Sequence, residues 1–147
     1  MSEAAHTVVV SGAASAFVQD VQLGRHRLTA DEPEAQGGND IGPNPYDLLL
    51  AALGTCTSMT LGLYARAKNL PLERVVVHLE HSKVHARDCA DCEATGRKID
   101  HIERRIELHG QLDSTQRARL IEIANKCPVH RTLTSEIRID TREVAPT

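Results

Sequence analysis

Four cysteines and eight histidines are the residues of this 147-residue chain best able to do covalent or metal chemistry. Cys127 opens the stretch "CPVHRTL", with Pro128 directly behind it and His130 three residues on. If Pro128 heads a helical turn, Cys127 is its N-cap. Free backbone N–H groups then point at the sulfur and favour the thiolate. His130 and Arg131 lie in the same turn and add positive charge. The competing reading is a simple chain break at Pro128 beside an inert cysteine. Cys56, in "ALGTCTSMT", falls within an apolar segment, where a cysteine is a common small core residue. Thr55, Thr57 and Ser58 flank it and can offer hydrogen bonds to its sulfur. Cys89 and Cys92, in "HARDCADCE", follow His85 with an H-x3-C-x2-C spacing, and His81 shares a strand face with His85. Such a set can hold zinc, although a closed structural site needs a fourth protein ligand. A redox-active dithiol and an unremarkable polar loop remain open beside it.

Other candidates carry less. His130 and Cys127 share one turn, which rarely gives nucleophile–base geometry. Asp31, Glu32, Glu103 and Glu107 read as solvated charges. "GGNDIGP" does not lead from a buried strand into a helix as a phosphate loop does.

The elements that must position these residues are legible in outline. "HTVVVSG", "SAFVQDVQL" and "GRHRLTADEP" read as three strands of an antiparallel meander, followed by a Gly- and Pro-rich loop without regular structure. Asn44 as N-cap, Pro45 at the first position and Asp47 in the first turn open a helix that runs to about Asn69. Being apolar nearly all round up to Tyr64, it is expected to be a buried central helix, and Ala51, Ala52, Gly54, Thr55 and Gly62 allow close approach by another backbone. "RVVVHLEHSKVHA" and "IDHIERRIELHG" are strands, the second with Ile102, Ile106 and Leu108 on one face. "LDSTQRARLIEIANK" is an amphipathic helix capped by Asp113 or Ser114, with Ala118, Ile121 and Ala124 as its inner stripe and Leu120 alongside. "EIRID" closes the chain as a strand. The order βββ-α-ββ-α-β predicts an α+β fold in one domain spanning residues 1–147.

Composition excludes several functions. Seventeen basic against twenty acidic residues leave a net charge of −3, and Phe17, Tyr46 and Tyr64 are the only aromatic residues. With no basic stripe and almost nothing to stack on bases, nucleic-acid binding is not expected. "MSEAAHTVVV" does not read as a signal peptide. The apolar run from Leu48 to Ala67 is interrupted by Gly, Thr, Ser and Arg, which argues against a membrane span. Four cysteines without an export signal point to the cytoplasm, where reactive or metal-bound thiols are the expected forms.

"GGNDIGPNPYDLLLAALGTCTSMTLGLYA" together with "CPVHRTL" resembles the OsmC/Ohr family of thiol-dependent peroxidases, over about Gly37 to Ile139. The resemblance implies an intertwined homodimer in which two central helices lie between antiparallel sheets, with active sites at the subunit interface. It assigns Cys56 as the peroxidatic and Cys127 as the resolving cysteine, acting on an organic hydroperoxide in oxidative-stress defence. A dithiol of lipoyl type or a small thiol is the implied reductant, and no cofactor is needed. The family's hydroperoxidases carry a glutamate after the helix-heading proline, where this chain has Tyr46, with Asp47 one residue on. They also carry an early-strand arginine that "SGAASAF" lacks, leaving Arg25 and Arg27 as candidates. The alternative function is a non-catalytic thiol or zinc-binding module centred on His85, Cys89 and Cys92.

Overall fold

The computed structural model describes residues 7–85 and 98–147, without the side chain of His85. The chain divides into two compact units, residues 1–51 and 52–147. In the first, β1 (Val8–Ser11), β2 (Gln19–Leu23) and β3 (His26–Ala30) form an antiparallel sheet in chain order. Gly24, at φ 60°, and Arg25 make the tight turn between β2 and β3. The Gly- and Pro-rich loop that follows contains one 3-10 turn, Glu34–Gln36, where no regular structure is expected from sequence.

Asp31 corrects the reading of it as a solvated charge: it is only 2% exposed. Its carboxylate accepts the backbone N–H groups of Glu32 at 2.8 Å, Asn39 at 3.0 Å and Ile41 at 3.3 Å. It thereby gathers the loop that leads into the long helix. Gly38 is required here, because a Cβ at that position would stand 2.0 Å from the Glu32 carbonyl oxygen. Burial pushes the Asp31 carboxyl up, but the three N–H groups outweigh it and hold the group below its ordinary range. A carboxyl with a depressed folded-state pKa stabilises above its unfolded pKa, and that contribution disappears as pH falls through the folded value. Asp31→Asn, which cannot accept all three bonds, is expected to lower the thermal midpoint at neutral pH. The gap to wild type should close on acidification below the usual carboxylate range. Circular dichroism melts across pH check this, and a constant gap would show that the loop does not depend on this charge.

The long helix α1 (Pro45–Ala67) starts where the sequence signals place it. Asp47 N–H donates to Asn44 Oδ1 at 2.9 Å, and Asn44 N–H donates to Asp47 Oδ2 at 3.1 Å, a reciprocal cap. At the other end Asn69 adopts a left-handed φ of 54°, which stops the helix two residues before Pro71.

The second unit pairs α1 with a long antiparallel hairpin of β4 (Leu72–His85) and β5 (Lys98–Gly110), in continuous register from Arg74↔His109 to His85↔Lys98, with a one-residue shift between Leu72 and Arg74. α2 (Ser114–Ala124) and α3 (Pro128–Leu133) complete it. Asp113 caps α2 in a capping box with Gln116. The core joins Leu61, Leu120, Ile123 and Ala124 to Tyr64, Val75, Ile106 and Leu108. Gly54 lets α1 lie close on β4, since a Cβ there would stand 2.8 Å from Leu79 Cδ1.

Three expectations change. The inner stripe of α2 is Leu120, Ile123 and Ala124, whereas Ala118 and Ile121 face outward. The larger aliphatic side chains at positions 120 and 123 fill more of the space against α1 and the hairpin than the chosen alanine at 118 could. Glu136–Asp140 is not a strand, and Ile137 and Ile139 are 54% and 82% exposed. Among the described residues no strand pairs with it. Finally, α1 has the length and apolarity of a membrane span, yet Leu53, Thr57, Leu61 and Ala65 are buried within the protein. It is a core helix on that face only; Met59 and Leu63 on the other are 72% and 64% exposed in the single chain.

Candidate active site

The site is built where α1, β5 and the start of α3 meet within the second unit. "CPVH" folds as expected: Cys127, at φ −64° and ψ 143°, is the N-cap of α3, and Pro128 takes the first helical position, where its missing N–H costs nothing. The next two N–H groups of that turn have no partner within the helix. Val129 N–H donates to Cys56 Sγ at 3.5 Å, and His130 N–H donates to Cys127 Sγ at 3.4 Å. One helical turn thus gives one donor to each sulfur. Both cysteines are free thiols; Cys127 is fully buried, whereas Cys56 is partly exposed.

Arg104 supplies the positive charge. It projects from the inner face of β5, in the same alternating row as Ile102, Ile106 and Leu108. Its Nη1 donates to Thr57 Oγ1 at 3.0 Å, and its Nη2 donates to Asn125 Oδ1 at 2.9 Å and to His130 Nδ1 at 3.2 Å. All three partners are neutral acceptors. Burial and then the Arg104 charge push the His130 pKa down, consistent with an imidazole that accepts at Nδ1. Positive charge at the thiols therefore comes from Arg104, not from His130, and Arg131 is exposed.

Burial pushes the Cys127 thiol up. The His130 N–H, the Thr57 hydroxyl, the Cys56 thiol and the charge of Arg104 together outweigh this and hold it below its ordinary value. Of the hydroxyls flanking Cys56, Thr57 turns to Cys127 at 3.8 Å, and Thr55 donates to the Ala52 carbonyl at 3.2 Å. A cavity of about 410 Å³ opens beside Arg104, His130 and Asn125, with Leu53, Ile102 and Leu133 as its apolar walls.

The remaining candidates have other surroundings. Asp47 forms the cap of α1. Arg27 pairs with Asp20 at 2.8 Å on an exposed face of the first sheet, and Arg25 lies in the exposed turn before it. The possible ligand set of His85, Cys89 and Cys92 rests on side chains outside the described residues. Among the described residues no three His, Cys, Asp or Glu side chains converge to hold a metal ion.

Sequence reasoning missed Arg104, and it assigned Thr57 to the Cys56 sulfur, whereas Thr57 lies against that of Cys127. Both had a signal: an arginine standing in the apolar register of a period-two strand, and a threonine on the inward face of an apolar helix.

Comparison with known proteins gives the context. No curated protein sequence matches the chain. Among solved structures, an OsmC-like protein from Mycoplasma pneumoniae superposes with a TM-score of 0.68 at 19% identity, covering 90% of this chain and 89% of that one. An organic hydroperoxide resistance protein OsmC from Legionella pneumophila gives 0.64 at 19% identity, covering 90% and 92%. The organic hydroperoxide resistance protein OhrB of Bacillus subtilis gives 0.61 at 17% identity, covering 88% and 90%. At these identities the likeness establishes the α+β fold with antiparallel sheets. The family described as OsmC-like protein matches residues 37–142, which include both cysteines and Arg104, and the chain belongs to that family.

Proposed function

We propose that this protein is a cysteine-based peroxidase that reduces organic hydroperoxides, with Cys56 peroxidatic and Cys127 resolving. The observation that carries this reading is the single turn of α3 serving two sulfurs, of which only Cys56 reaches solvent. A hydroperoxide meets Cys56 first. Its thiolate attacks the terminal oxygen, the O–O bond breaks, and Cys56 becomes a sulfenic acid as the leaving alkoxide takes up the proton released by the thiol and departs as the alcohol. Cys127, buried behind it and biased toward thiolate, then attacks the Cys56 sulfur. The S–S bond forms, the S–O bond breaks and water departs. A dithiol of lipoyl type or a small thiol restores both thiols by exchange. The cavity walled by Leu53, Ile102 and Leu133 suits the organic part of such a substrate. Relatives named as organic hydroperoxide resistance proteins support the substrate class.

The test is peroxide consumption with cumyl hydroperoxide and with hydrogen peroxide, each with dihydrolipoamide and with a monothiol as reductant. Turnover of the organic peroxide is expected, and none with any reductant would defeat the proposal. Cys89 and Cys92 have no part in this cycle. The Cys89→Ser, Cys92→Ser double variant is expected to keep its kcat/KM within about twofold of wild type, well inside the factor of ten that corresponds to 1.4 kcal/mol. Loss of activity in a folded double variant would move the redox pair elsewhere. Metal analysis of the purified protein scores the zinc reading of His85, Cys89 and Cys92 separately.

A further inference from the structure

Thr57 is fully buried, and its hydroxyl has one proton to give. That proton goes to the Leu53 carbonyl at 2.7 Å, while the oxygen accepts Arg104 Nη1 at 3.0 Å and lies 3.8 Å from Cys127 Sγ. A hydroxyl that donates to a carbonyl cannot donate to sulfur at the same time. The contact with Cys127 therefore has two forms. When Cys127 is protonated, its S–H points at the remaining lone pair of Thr57. When Cys127 is ionised, a 2.7 Å bond to a carbonyl competes with a charge-assisted bond to a thiolate, and the second is the stronger. Rotation orphans nothing, because the Leu53 carbonyl also accepts the backbone N–H four residues on, within α1. Arg104 can hold the oxygen in both forms, and a cationic donor on that oxygen polarises its O–H toward an anion.

We infer that Thr57 is a positioning residue for the resolving thiol: a hydroxyl, anchored by Arg104, that turns from the Leu53 carbonyl to the Cys127 sulfur as that sulfur loses its proton. The role in resolution rests on the function proposed above; the coupling between Thr57 and Cys127 does not. In the resolving step the Cys127 thiolate forms the S–S bond to Cys56, the S–O bond of the sulfenic acid breaks, and the departing hydroxide becomes water with a proton from solvent, which balances the one Cys127 released on ionising. The Thr57 proton stays on its own oxygen throughout and is free to return to Leu53 once the negative charge has gone. The bland alternative is a threonine that merely bonds back to its own helix, as buried threonines commonly do.

The two readings separate in the titration of Cys127. The full chain is labelled with cysteine carrying 13C at Cβ, and the Cys127 resonance is identified by its loss in Cys127→Ser. Thr57→Val is nearly isosteric and is expected to raise the Cys127 midpoint by about one pH unit, the size set by one hydrogen bond to a charged group. Thr57→Ser keeps the hydroxyl and should titrate near wild type. Arg104→Met should raise the midpoint as well, and in the Thr57→Val, Arg104→Met double variant the shift should fall short of the sum. A wild-type midpoint in folded Thr57→Val overturns the inference, as does a Thr57→Ser shift equal to that of valine. Fully additive shifts would overturn the anchoring by Arg104. If Thr57→Val does not fold, the Thr57→Ser and Arg104→Met titrations still decide, a wild-type midpoint in Arg104→Met counting against the device. Because no peroxide is present, a chain that reduced no hydroperoxide would remove the proposed activity and leave this coupling standing.

Discussion

Cys56→Ser is expected to abolish hydroperoxide turnover, and Cys127→Ser to stop the cycle at a sulfenic acid on Cys56. Removing a covalent nucleophile should lower kcat/KM by about a thousandfold or more, since a serine hydroxyl is far less acidic and less nucleophilic than a thiol and cannot replace the thiolate. The two variants differ in what accumulates. In Cys127→Ser, one equivalent of peroxide is consumed and Cys56 takes up dimedone, because the thiol that would condense with the sulfenic acid is gone. In Cys56→Ser, the thiol left of the pair is Cys127, which is fully buried and so slow to meet peroxide. Mass spectrometry after dimedone treatment reads both. Label on Cys127 in Cys56→Ser, with turnover retained, would reverse the roles. No label and no turnover in either variant would leave the two thiols without peroxidase chemistry.

The part of this site that the sequence revealed is the part held by local rules. A proline behind a cysteine is enough to place Cys127 at an N-cap, and the capped start of α1 follows from Asn44, Pro45 and Asp47. What escaped was decided by packing between distant segments. Arg104 reaches Thr57 across 47 residues and His130 across 26, so no window of sequence contains its partners. Positive charge for the thiols is expected from His130, Arg131 and the early strands, yet Arg27 there is matched by Asp20. The alternation of β5 marked Arg104 as inward-facing all along, and an inward-facing guanidinium needs acceptors. Asp31 escaped for a similar reason: three backbone donors in a loop leave no mark on the pattern of charges. The stripe of α2 was ambiguous because Leu120, Ile121 and Ile123 allow two faces in an 11-residue helix.

A homodimer is expected in solution, and Met59→Lys with Leu63→Lys is expected to dissociate it. The motive is α1: buried along Leu53, Thr57, Leu61 and Ala65, it leaves Met59 and Leu63, four residues apart on one face, 72% and 64% exposed. The C-terminal segment adds Ile137 and Ile139, which alternate as in a strand without pairing among the described residues. A second copy accounts for both features, by covering the helix face and offering a sheet edge. Burying a Met or Leu side chain is worth roughly 1.5–3 kcal/mol, and in a two-fold interface each substitution counts twice. Two lysines per chain thus remove about 6–12 kcal/mol of apolar burial and place like charges opposite each other, more than most interfaces withstand. Light scattering at micromolar concentration should give about twice the 16.1 kDa chain mass for wild type and a single chain for the double variant. Truncation after Ser135 should weaken the dimer without changing the titration of Cys127. A wild-type protein that is monomeric at micromolar concentration would rule the dimer out. A double variant that stays dimeric would move the seam off this face of α1, and the exposure of Met59 and Leu63 would then need another cause.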